Sequence, residues 1–487
     1  MKGHVDALVV GAGPVGLTTA LLLHELGHTV RVVDRRPTAQ RAPAAHVINA
    51  RTFEIWRQAG LDVQAIRDAA QSPEHAGFVH WVHRLGGEVY GRLQYEQQGD
   101  DQLAITPTPL RNLSQHLLEP MLVHELAQRG ITVEYSTEWT ARHDTGGAVV
   151  STLAHGGGTA SVESAWLLGC DGAGSPVRRS CGISMQGPDQ LQRFSMVHFR
   201  ADLSPLIGAD RGVLYWVCDP ASGGTFVSHG NGDEWVYMCP HRDDAEQHLY
   251  RAMEQHVDVQ VLGTSSWMMT SQLAERYRHG RVLLLGDAAH RFPPSGGMGL
   301  NTGVADAHNL AWKLSYVMRG SAPDSLLDSY ETERRPVAAR NAQASLENAM
   351  RMGEVFKALA TPGRPGLDEA IGHQATHFDM LGLQLGYRYG AQPPPLDDTV
   401  IRTYTPSSLP GCRLPHGWVR RSGTPISTLD LVPLDRHVTI GGPDRTDADV
   451  RAGHDFDDPD DWWGTTMAKG PDDIVPVRPD QHIAEQA

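Results

Sequence analysis

The feature that most constrains the fold of this chain is a glycine-rich turn directly after a short apolar run near the N-terminus. Residues 5–10 form a short run that is apolar except for Asp6, as in a buried parallel strand, and glycines follow at the spacing G-x-G-x-x-G, at Gly11, Gly13 and Gly16. A helical pattern comes next, and then a second apolar run that ends at Asp34. Such a βαβ unit uses its glycines for a tight turn, for the approach of a pyrophosphate and for close helix packing. The sequence therefore predicts a Rossmann-like, dinucleotide-binding domain in which Asp34 accepts hydrogen bonds from the ribose hydroxyls.

Two later segments belong with this turn. Asp171 and Gly172 follow an apolar run at 165–168, and Gly286 and Asp287 follow another at 281–285. Asp287 suits a sugar or ribityl hydroxyl, and the turn at 295–301 offers N–H donors to the anionic edge of a reduced flavin. Each segment alone has a plainer interpretation: an NAD(P)-only Rossmann turn, an ordinary turn or a helix N-cap. Together and in this order they predict one site for FAD.

Composition excludes several other classes. With 487 residues the chain is too long for one ordinary core, so we expect two or three domains. A formal charge of −15 argues against nucleic-acid binding, and the longest apolar run is too short to cross a bilayer. The five scattered cysteines and the 25 histidines show no metal-ligand spacing. We expect a cytoplasmic protein with reduced thiols and no metal, and without a signal peptide or membrane partner.

The pattern of elements predicts an α/β protein with three parts. The Rossmann-like FAD-binding domain covers 1–72, 98–185 and 280–390. A mainly antiparallel β-sheet domain for the substrate, rich in Val, Tyr, Trp and Phe, is inserted at 73–97 and 186–279. A small C-terminal module covers 391–487, with a loop at about 447–463. Helices are predicted at 50–58, 110–128, 302–319 and 325–357.

The three motifs together resemble the class A, single-component flavoprotein monooxygenases with the para-hydroxybenzoate hydroxylase fold, over about residues 4–440. Residues 45–52, 213–217 and 294–299 further resemble the phenol hydroxylases, in particular 2,4-dichlorophenol 6-monooxygenase and related polyketide-tailoring hydroxylases. The resemblance implies FAD as cofactor, with NADPH or NADH and O₂ as co-substrates. It also implies that the middle motif serves both FAD and NAD(P)H. Homodimers are common in that family, but the sequence itself does not identify the oligomeric state.

The resemblance assigns residues to the site. His46 stands where phenol hydroxylase has an aspartate near the substrate hydroxyl, so we predict that it accepts or polarises the phenolic proton. Pro293 is assigned to the catalytic set with it, and the alternative for His46 is a scaffolding role. The alternatives for Arg51 and Gln115 are a salt-bridging arginine and an exposed helix glutamine. The predicted cofactor-binding residues are Gly11, Gly13, Pro14, Gly16, Asp34, Arg35, Arg51, Gln115, Asp171, Gly172, Gly286, Asp287, Pro294, Gly296, Gly297, Met298, Gly299, Leu300 and Asn301.

Aromatic residues of the inserted sheet are predicted to form the apolar wall of the substrate site. Alternate positions of a strand share one face of the sheet, which is the basis of the choice. The alternative is that they form the core of the sheet domain. The predicted wall residues are Tyr215, Trp216, Phe226, Trp235 and Tyr237, with Val227 beside them.

Two departures from the family pattern matter. Relatives often have an arginine two residues before the position of His46, where this chain has Ala44, so either Arg41 or Arg36 substitutes or the nucleotide is held less tightly. The C-terminal module, thioredoxin-like in longer relatives, is short here and has no CxxC. A packing or oligomer role is the default for it.

The expected activity is hydroxylation of a small phenolic or related aromatic ring through a flavin C4a-hydroperoxide, with consumption of NAD(P)H. The alternatives are a Baeyer–Villiger-type or other tailoring oxygenase on a larger polyketide or alkaloid, and a non-catalytic FAD-binding protein. A flavin-dependent halogenase is disfavoured, because the Trp-x-Trp-x-Ile-Pro pattern is missing.

Overall fold

Parallel strands carry the glycine turn, as the apolar runs predict. The computed structural model describes residues 4–95, 98–208, 211–230 and 232–485. The predicted ranges 1–72, 73–97, 186–279 and 391–487 therefore fall partly outside the described residues. The β-strands are β1 His4–Val10, β2 Val30–Val33, β3 Val47–Ile48, β4 Phe78–Val82, β5 Val89–Gln94, β6 Arg111–Asn112, β7 Val133–Glu134, β8 Glu138–Asp144, β9 Val149–His155, β10 Gly158–Gly169, β11 Met185–Gln186, β12 Gln192–Arg200, β13 Gly212–Val217, β14 Gly224–His229, β15 Glu234–Pro240, β16 Gln260–Met269, β17 Gln272–Ala274, β18 Arg278–His279, β19 Val282–Leu284, β20 His290–Arg291, β21 Trp418–Arg421, β22 Thr424–Ser427, β23 Val438–Gly441, β24 Val450–Arg451 and β25 Ile474–Val477.

Helices cover the sheets. The α-helices are α1 Pro14–Glu25, α2 Ala50–Gln58, α3 Val63–Ala69, α4 Gln115–Gln128, α5 Pro176–Ser180, α6 Ser204–Ile207, α7 Ala245–Arg251, α8 Met298–Met318, α9 Asp328–Ala360, α10 Leu367–Gly372, α11 Ala375–Phe378, α12 Leu381–Leu385 and α13 Asp398–Arg402. Short 3₁₀ turns lie at Asp100–Ala104, Gly286–Ala288, Asp324–Leu327 and Thr428–Leu431, and a π-turn at Trp462–Thr466. Within the described ranges, none of these helices has both the length and the apolar character needed to cross a bilayer.

The nucleotide sheet brings the three motifs to one edge. Its strand order is β18-β19-β10-β1-β2-β7, with β1 parallel to β10 and β2, and β10 parallel to β19. Val10 pairs with Gly169, and Gly169 pairs with Leu284, so the carboxyl ends of these three strands lie side by side. Each of these strands leads into one motif, and ligands of open α/β sheets bind at this edge. The predicted convergence of the motifs is confirmed.

The second sheet has two faces that pack against different parts of the chain. Its strand order is β16-β12-β15-β14-β13-β4-β5, antiparallel except for the β13–β4 pair. Cross-strand partners share a face. The face we call outer packs against α7 through residues such as Val197, Phe199 and Tyr215. The opposite face, called inner, packs through Trp81 and Leu214 against the nucleotide domain and α9.

The four predicted helices are correct in place, and three of them are inexact at their starts, including the one predicted at 325–357, which is observed at Asp328–Ala360. The helix at 50–58 is observed as predicted. The helix expected from residue 110 begins at Gln115, because residues 111–112 instead pair with β3. The helix expected from 302 begins at Met298, where the glycine-rich turn hides the helical period. The acidic segment 447–463 is also more ordered than the predicted loop, because Trp462 and Trp463 are buried in the C-terminal core.

The C-terminal module docks on the nucleotide domain through a buried ion-pair network. Its core surrounds a three-stranded mixed sheet of order β24-β23-β25. Glu54 of α2 accepts from Arg413 Nε at 2.8 Å and from Thr106 Oγ1 at 2.7 Å, and Arg51 Nη1 lies 3.1 Å away. Burial alone would raise the pKa of Glu54, but the two guanidinium groups hold it below its usual value. The network therefore joins α2 to the start of the module.

We expect Glu54→Gln to lower the free energy of unfolding by about 3–5 kcal/mol, because it leaves two buried guanidinium groups without their carboxylate. Urea unfolding followed by circular dichroism measures the loss. Glu88→Gln is the matched control, since Glu88 pairs with Arg364 on the surface and its loss should change stability little. Equal effects of the two substitutions would contradict the structural role of the network.

Candidate functional site

The glycine turn is closed on its protein side and open on the other. A Cβ at Gly11, which has φ of +106°, would lie 2.2 Å from the Cys170 carbonyl oxygen, and one at Gly16 would lie 1.9 Å from the Gly11 carbonyl oxygen. At Gly13 the nearest atom would be Glu119 Oε1 at 3.9 Å, and at Gly172 no atom of the described residues lies within 4 Å. Gly11 and Gly16 thus allow close backbone packing, while Gly13 and Gly172 border free space.

Asp34 holds the turn in place. Its Oδ2 accepts from the Ala12 N–H at 2.7 Å and its Oδ1 from the Arg36 N–H at 2.8 Å. The Arg36 side chain pairs with Asp34 at 3.0 Å and with Glu119 at 3.1 Å. Arg36 is therefore the arginine beside the turn. Arg35 is exposed, and the nearby Arg41 donates to Thr38 instead.

The N-terminus of α8 forms the third wall of the site. Gly297, with φ of +62°, precedes the helix and no side chain caps it, so the first N–H groups have the unpaired, partly positive character of a helix start. A Cβ at Gly296 or Gly297 would lie 2.2 Å from Met380 Sδ or 2.6 Å from Val47 Cβ. α1 likewise begins at Gly13 with Pro14 as its first residue and without a side-chain cap. Two helix starts therefore face the edge where the motifs meet.

Asn301 links this helix start to the loop that carries His46. Its Oδ1 accepts from the Asn49 N–H at 3.0 Å and from Thr52 Oγ1 at 2.7 Å. Its Nδ2 donates to the carbonyl oxygens of Val47 at 2.9 Å and Gly297 at 2.7 Å. Its amide therefore makes four hydrogen bonds within the protein, which is its usual capacity. The predicted cofactor ligand is a positioning residue in this arrangement.

Two carboxylates at the edge have unmet acceptor capacity. The Oδ2 of Asp171 accepts from the Val177 N–H at 2.9 Å, but its buried Oδ1 has no partner among the described residues. Asp287 is exposed, yet desolvation by the surrounding protein raises its pKa. A side chain that is open to solvent and still desolvated lines a hollow rather than a convex surface. Both groups fit the hydroxyls of a ribityl or ribose chain, and the uncapped helix starts fit phosphate and an anionic ring edge. The residues present thus fit FAD.

The remaining predicted cofactor residues contact other parts of the protein. Arg51 is buried, and its guanidinium donates to Gln481 Oε1 at 2.7 Å and to the Asp480 carbonyl at 2.8 Å, in the C-terminal module. This geometry fits the alternative of a salt-bridging arginine. Gln115 donates to Glu119 Oε1 at 2.7 Å, next to the glycine turn. Met298 packs in a small core with Met380, and Gly299 and Leu300 continue the first turn of α8.

A buried charge network that the sequence analysis did not identify fixes the Gly286–Asp287 turn. Asp306 of α8 accepts from His290 Nε2 at 2.7 Å and from Arg334 Nε at 2.8 Å. Burial alone would raise the pKa of Asp306, but His290 and Arg334 hold it below its usual value. The Gly286 N–H also donates to Asp306, at 3.3 Å. A histidine three residues after Asp287 was the available signal for this network.

His46 lies where the two domains meet. Its Nδ1 is 3.0 Å from Asn112 Oδ1, and its ring is half-buried. Because an amide oxygen accepts, Nδ1 carries the proton and Nε2 has the free lone pair. Burial, partly offset by the Asn112 hydrogen bond, lowers the pKa of His46. Pro293 is buried in the turn before α8, and the next residue, Pro294, is exposed.

The arrangement of the sheet corrects the predicted substrate wall. Tyr215, Phe226 and Tyr237 are cross-strand neighbours on the outer face, where Trp235 joins them. These four side chains are at most 2% exposed and pack in the core under α7, on the side of the sheet away from His46. Alternation correctly divided the strand into two faces but did not say which face met the nucleotide domain. Trp216, the fifth predicted residue, lies on the inner face.

The inner face contains the residues that can form an apolar wall. Leu214 pairs with Val227 across two interior strands, and both are partly exposed, as is Trp216. Interior strands that are covered on both faces do not normally expose apolar side chains, so we infer a recess above them. We call this the inner-face recess; it is bordered by Leu214, Trp216, Val227 and His46. His229, two residues after Val227 on the same face, has its ring centroid 5.5 Å from that of His46.

A separate cavity lies outside this region. It has a volume of about 640 Å³ and is bounded by α9, α12 and the segment up to Arg413. None of the predicted site residues lines it. Among the residues that the structure describes, no group of three His, Cys, Asp or Glu side chains could hold a metal ion.

Comparison with known proteins agrees with this geometry. The family model of an FAD binding domain matches residues 4–345. A Streptomyces halstedii protein named as a polyketide hydroxylase is 33% identical, over 99% of this chain and 93% of its own length. The 2,4-dichlorophenol 6-monooxygenase of Delftia acidovorans is 30% identical, over 90% of this chain and 84% of its own. The crystal structure of the flavin-dependent monooxygenase PieE in complex with FAD and substrate has a TM-score of 0.92 at 28% identity, covering 99% of this chain and 96% of that one.

We expect Asp287→Ala to weaken FAD binding about 10- to 100-fold, because hydrogen bonds to a charged group contribute about 1.5–3 kcal/mol. Its fold should persist, since Asp287 makes no hydrogen bond within the described part of the chain. Titration of the apoprotein with FAD, followed by quenching of flavin fluorescence, measures the affinity. Asp472→Ala, at an exposed position of the C-terminal module, is the control. Unchanged affinity in Asp287→Ala would remove this carboxylate from the site.

Proposed function

The chain belongs to the family of proteins with this FAD-binding domain, and we propose that it is an FAD-dependent, NAD(P)H-consuming monooxygenase that hydroxylates a phenolic ring. The observation that carries the proposal is the meeting of three motifs at one sheet edge, where Asn301 ties the start of α8 to the loop that carries His46. The named hydroxylase and monooxygenase relatives support the same reaction class.

Residues of the edge would hold the cofactor. Gly13 and the start of α1 would bind the pyrophosphate. Asp171 and Asp287 would accept hydrogen bonds from the hydroxyls of the ribityl chain. The start of α8 would face the pyrimidine edge of the ring. When bound and reduced by NAD(P)H, FAD would supply the activated oxygen that is transferred to the ring.

A cluster of arginines supports the binding of NAD(P)H near the middle motif. Arg178 donates to the Ala173 carbonyl at 3.3 Å, and Arg291 donates to the same oxygen. Arg179 donates to the Gly174 carbonyl at 2.5 Å. These guanidinium groups contact the backbone directly after Gly172 and give this segment a positive potential, which attracts the phosphates of a dinucleotide.

His46 is the proposed base for the substrate hydroxyl. The lone pair on Nε2 and the lowered pKa keep it neutral and able to accept a proton at neutral pH. Removing the phenolic proton raises the electron density of the ring, which favours attack on the activated oxygen. Leu214, Trp216 and Val227 of the inner-face recess would exclude water from the reacting atoms.

The proposed substrate is an aromatic compound with a free phenolic hydroxyl. Relatives named for a dichlorophenol and for a polyketide span small and polycyclic rings. The relative that covers 99% of this chain is named for a polyketide, which favours a polycyclic phenol. Because the named relatives are hydroxylases and monooxygenases, we favour hydroxylation over a Baeyer–Villiger reaction.

The domain division remains a proposal. Pairing of β4 and β5 with strands of 192–269 supports the boundaries 73–97 and 186–279 for the substrate domain. We propose that the C-terminal module, with its short mixed sheet, is a reduced thioredoxin-like domain with a packing role. A homodimer is also proposed; the exposed apolar side chains of Met350 and Phe356 on α9 are candidates for its contacts.

A panel of phenols, from 2,4-dichlorophenol to polycyclic hydroxyquinones, tests the reaction with FAD-loaded protein. We expect at least one to stimulate NAD(P)H oxidation and O₂ uptake, with a hydroxylated product and little H₂O₂. Measuring NAD(P)H oxidation and H₂O₂ together separates hydroxylation from uncoupled turnover, in which the oxygen is released as H₂O₂. If every phenol leaves the rate unchanged, or yields H₂O₂ alone, the proposed function is wrong.

His46→Asn tests the base. In the wild type we expect the acid limb of kcat/KM for the phenol to lie below about pH 6.5, the ordinary pKa of histidine, because burial lowers the pKa of His46. The variant should lose about 10²–10⁴-fold at pH 7. Its acid limb should also move towards the pKa of the phenol itself, which is about 10 for a tyrosine-like ring and lower for a chlorinated one. His256→Asn, at an exposed histidine, is the control. An unshifted pH profile in His46→Asn would assign the proton transfer to another group.

A further inference from the structure

Four histidine rings form a line from the inner-face recess to the edge of the sheet domain. The centroid of His46 is 5.5 Å from that of His229, which is 6.5 Å from His116, and His116 is 6.2 Å from His198. Glu234 Oε1 lies between the last two rings, 3.1 Å from His116 Nε2 and 2.7 Å from His198 Nε2. We call these five side chains the histidine line.

Several elements bring the line together. His229 at the end of β14 is the cross-strand neighbour of Glu234 at the start of β15, so both side chains lie on the inner face. His198 lies on β12, on the other side of β15, where it pairs with Val236 of the same face. His116 comes from the first turn of α4. Its Nδ1 lies 2.9 Å from Ser114 Oγ, and this contact turns Nε2 towards Glu234.

Burial along the line falls from the middle outwards. His229 is 3% exposed, and its buried Nδ1 has no partner among the described residues. The side chains of His116, Glu234 and His198 are 10%, 13% and 14% exposed, so the outer end reaches solvent. Buried polar groups are normally hydrogen-bonded, so the unpaired nitrogen of His229, between two other imidazoles, is available for a proton that arrives directly or through water.

We propose that the histidine line carries the substrate proton from His46 to solvent. This rests on the proposed function, in which His46 takes that proton. His229, His116 and His198 would then be positioning and relay residues, since they do not reach the reacting atoms.

The transfer conserves protons and charge. The phenolic O–H bond breaks and an N–H bond forms on His46, leaving a phenolate and an imidazolium. A ring N–H of His46 then breaks and one forms on His229, directly or through a solvent water, and the same exchange repeats to His116. The proton leaves to bulk water from the pair of His116 and His198 with Glu234. Every ring ends neutral, and no oxidant or reductant is needed.

A negative charge lies at the outer end of the line, where Glu234 stabilises a protonated His116. Burial and the neighbouring imidazoles lower the pKa of His229, so it holds a proton only in transit. Burial is also the largest cause of the lowered pKa of His116, where Glu234 acts in the opposite direction and Arg200 in the same one. Glu234 supplies the negative charge at the outer end, and Asn112 orients His46 at the inner end.

The test measures proton release by FAD-loaded protein on mixing with the phenol that most stimulates NAD(P)H oxidation, in weak buffer with a pH-indicator dye in a stopped-flow instrument. The variants are His229→Phe and Glu234→Gln. Glu234→Gln changes only the partly exposed end of the line and keeps the shape of the side chain, so it still tests the relay if His229→Phe folds poorly. His248→Phe is the matched control, because His248 is equally buried but packs beside α7 on the outer face. Flavin absorbance and circular dichroism verify folding.

We expect proton release to slow about tenfold or more in both variants and not in His248→Phe, with FAD affinity unchanged. Added imidazole should partly restore the rate in His229→Gly. Release at the wild-type rate in both variants, while the wild type hydroxylates the phenol, overturns the histidine line and leaves the proposed function intact. A wild type that neither oxidises NAD(P)H with any phenol nor releases a proton overturns both.

Discussion

Parallel pairing of β1, β10 and β19 is the constraint on which the site depends. It brings residues about 160 and 275 positions after the first glycine turn to the same edge, where the backbone of Gly11 lies against Cys170. The same pairing places one helix start from α1 and another from α8 at this edge. A single side chain, Asn301, then ties α8 to the His46 loop, so that the cofactor edge and the substrate base form one unit.

Buried charge networks hold this arrangement from behind. Asp306, with His290 and Arg334, supports the turn that carries Asp287. Glu54, with Arg51 and Arg413, anchors the C-terminal module on α2, whose N-terminus adjoins the His46 loop. Breaking such a pair leaves an uncompensated charge, which costs more than the loss of a surface pair. The module therefore has a structural reason to be present even without a CxxC.

Local sequence patterns predicted the fold well where a residue type is needed for one geometric reason. The βαβ unit, the motif order and the inserted sheet follow from glycine spacing and from apolar periods of two and 3.6. Gly11 and Gly16 are needed for backbone contacts that any Cβ would block, and this requirement is visible in the sequence. The positions of Asp34 and Asp287 followed from the strands that precede them.

The packing of distant segments against one another was less predictable from the sequence. Tyr215 and Trp216 alternate in the sequence, but only the packing of α7 decides that Tyr215 is core and Trp216 faces the nucleotide domain. Arg51 and Asn301 carry side chains suited to a phosphate or a flavin, and the structure instead uses them to join segments far apart in sequence. The histidine line has no spacing pattern at all, because its members come from separate strands, a helix and a loop.

The most direct measurement is a crystal structure of the FAD-loaded protein with a bound phenol. We expect the flavin at the edge formed by Gly13, Asp171 and Asp287, and the phenolic oxygen within hydrogen-bond distance of His46 Nε2, with the ring against Leu214 and Trp216. A phenol bound on the outer face, or a flavin held away from the three motifs, would contradict the proposed site.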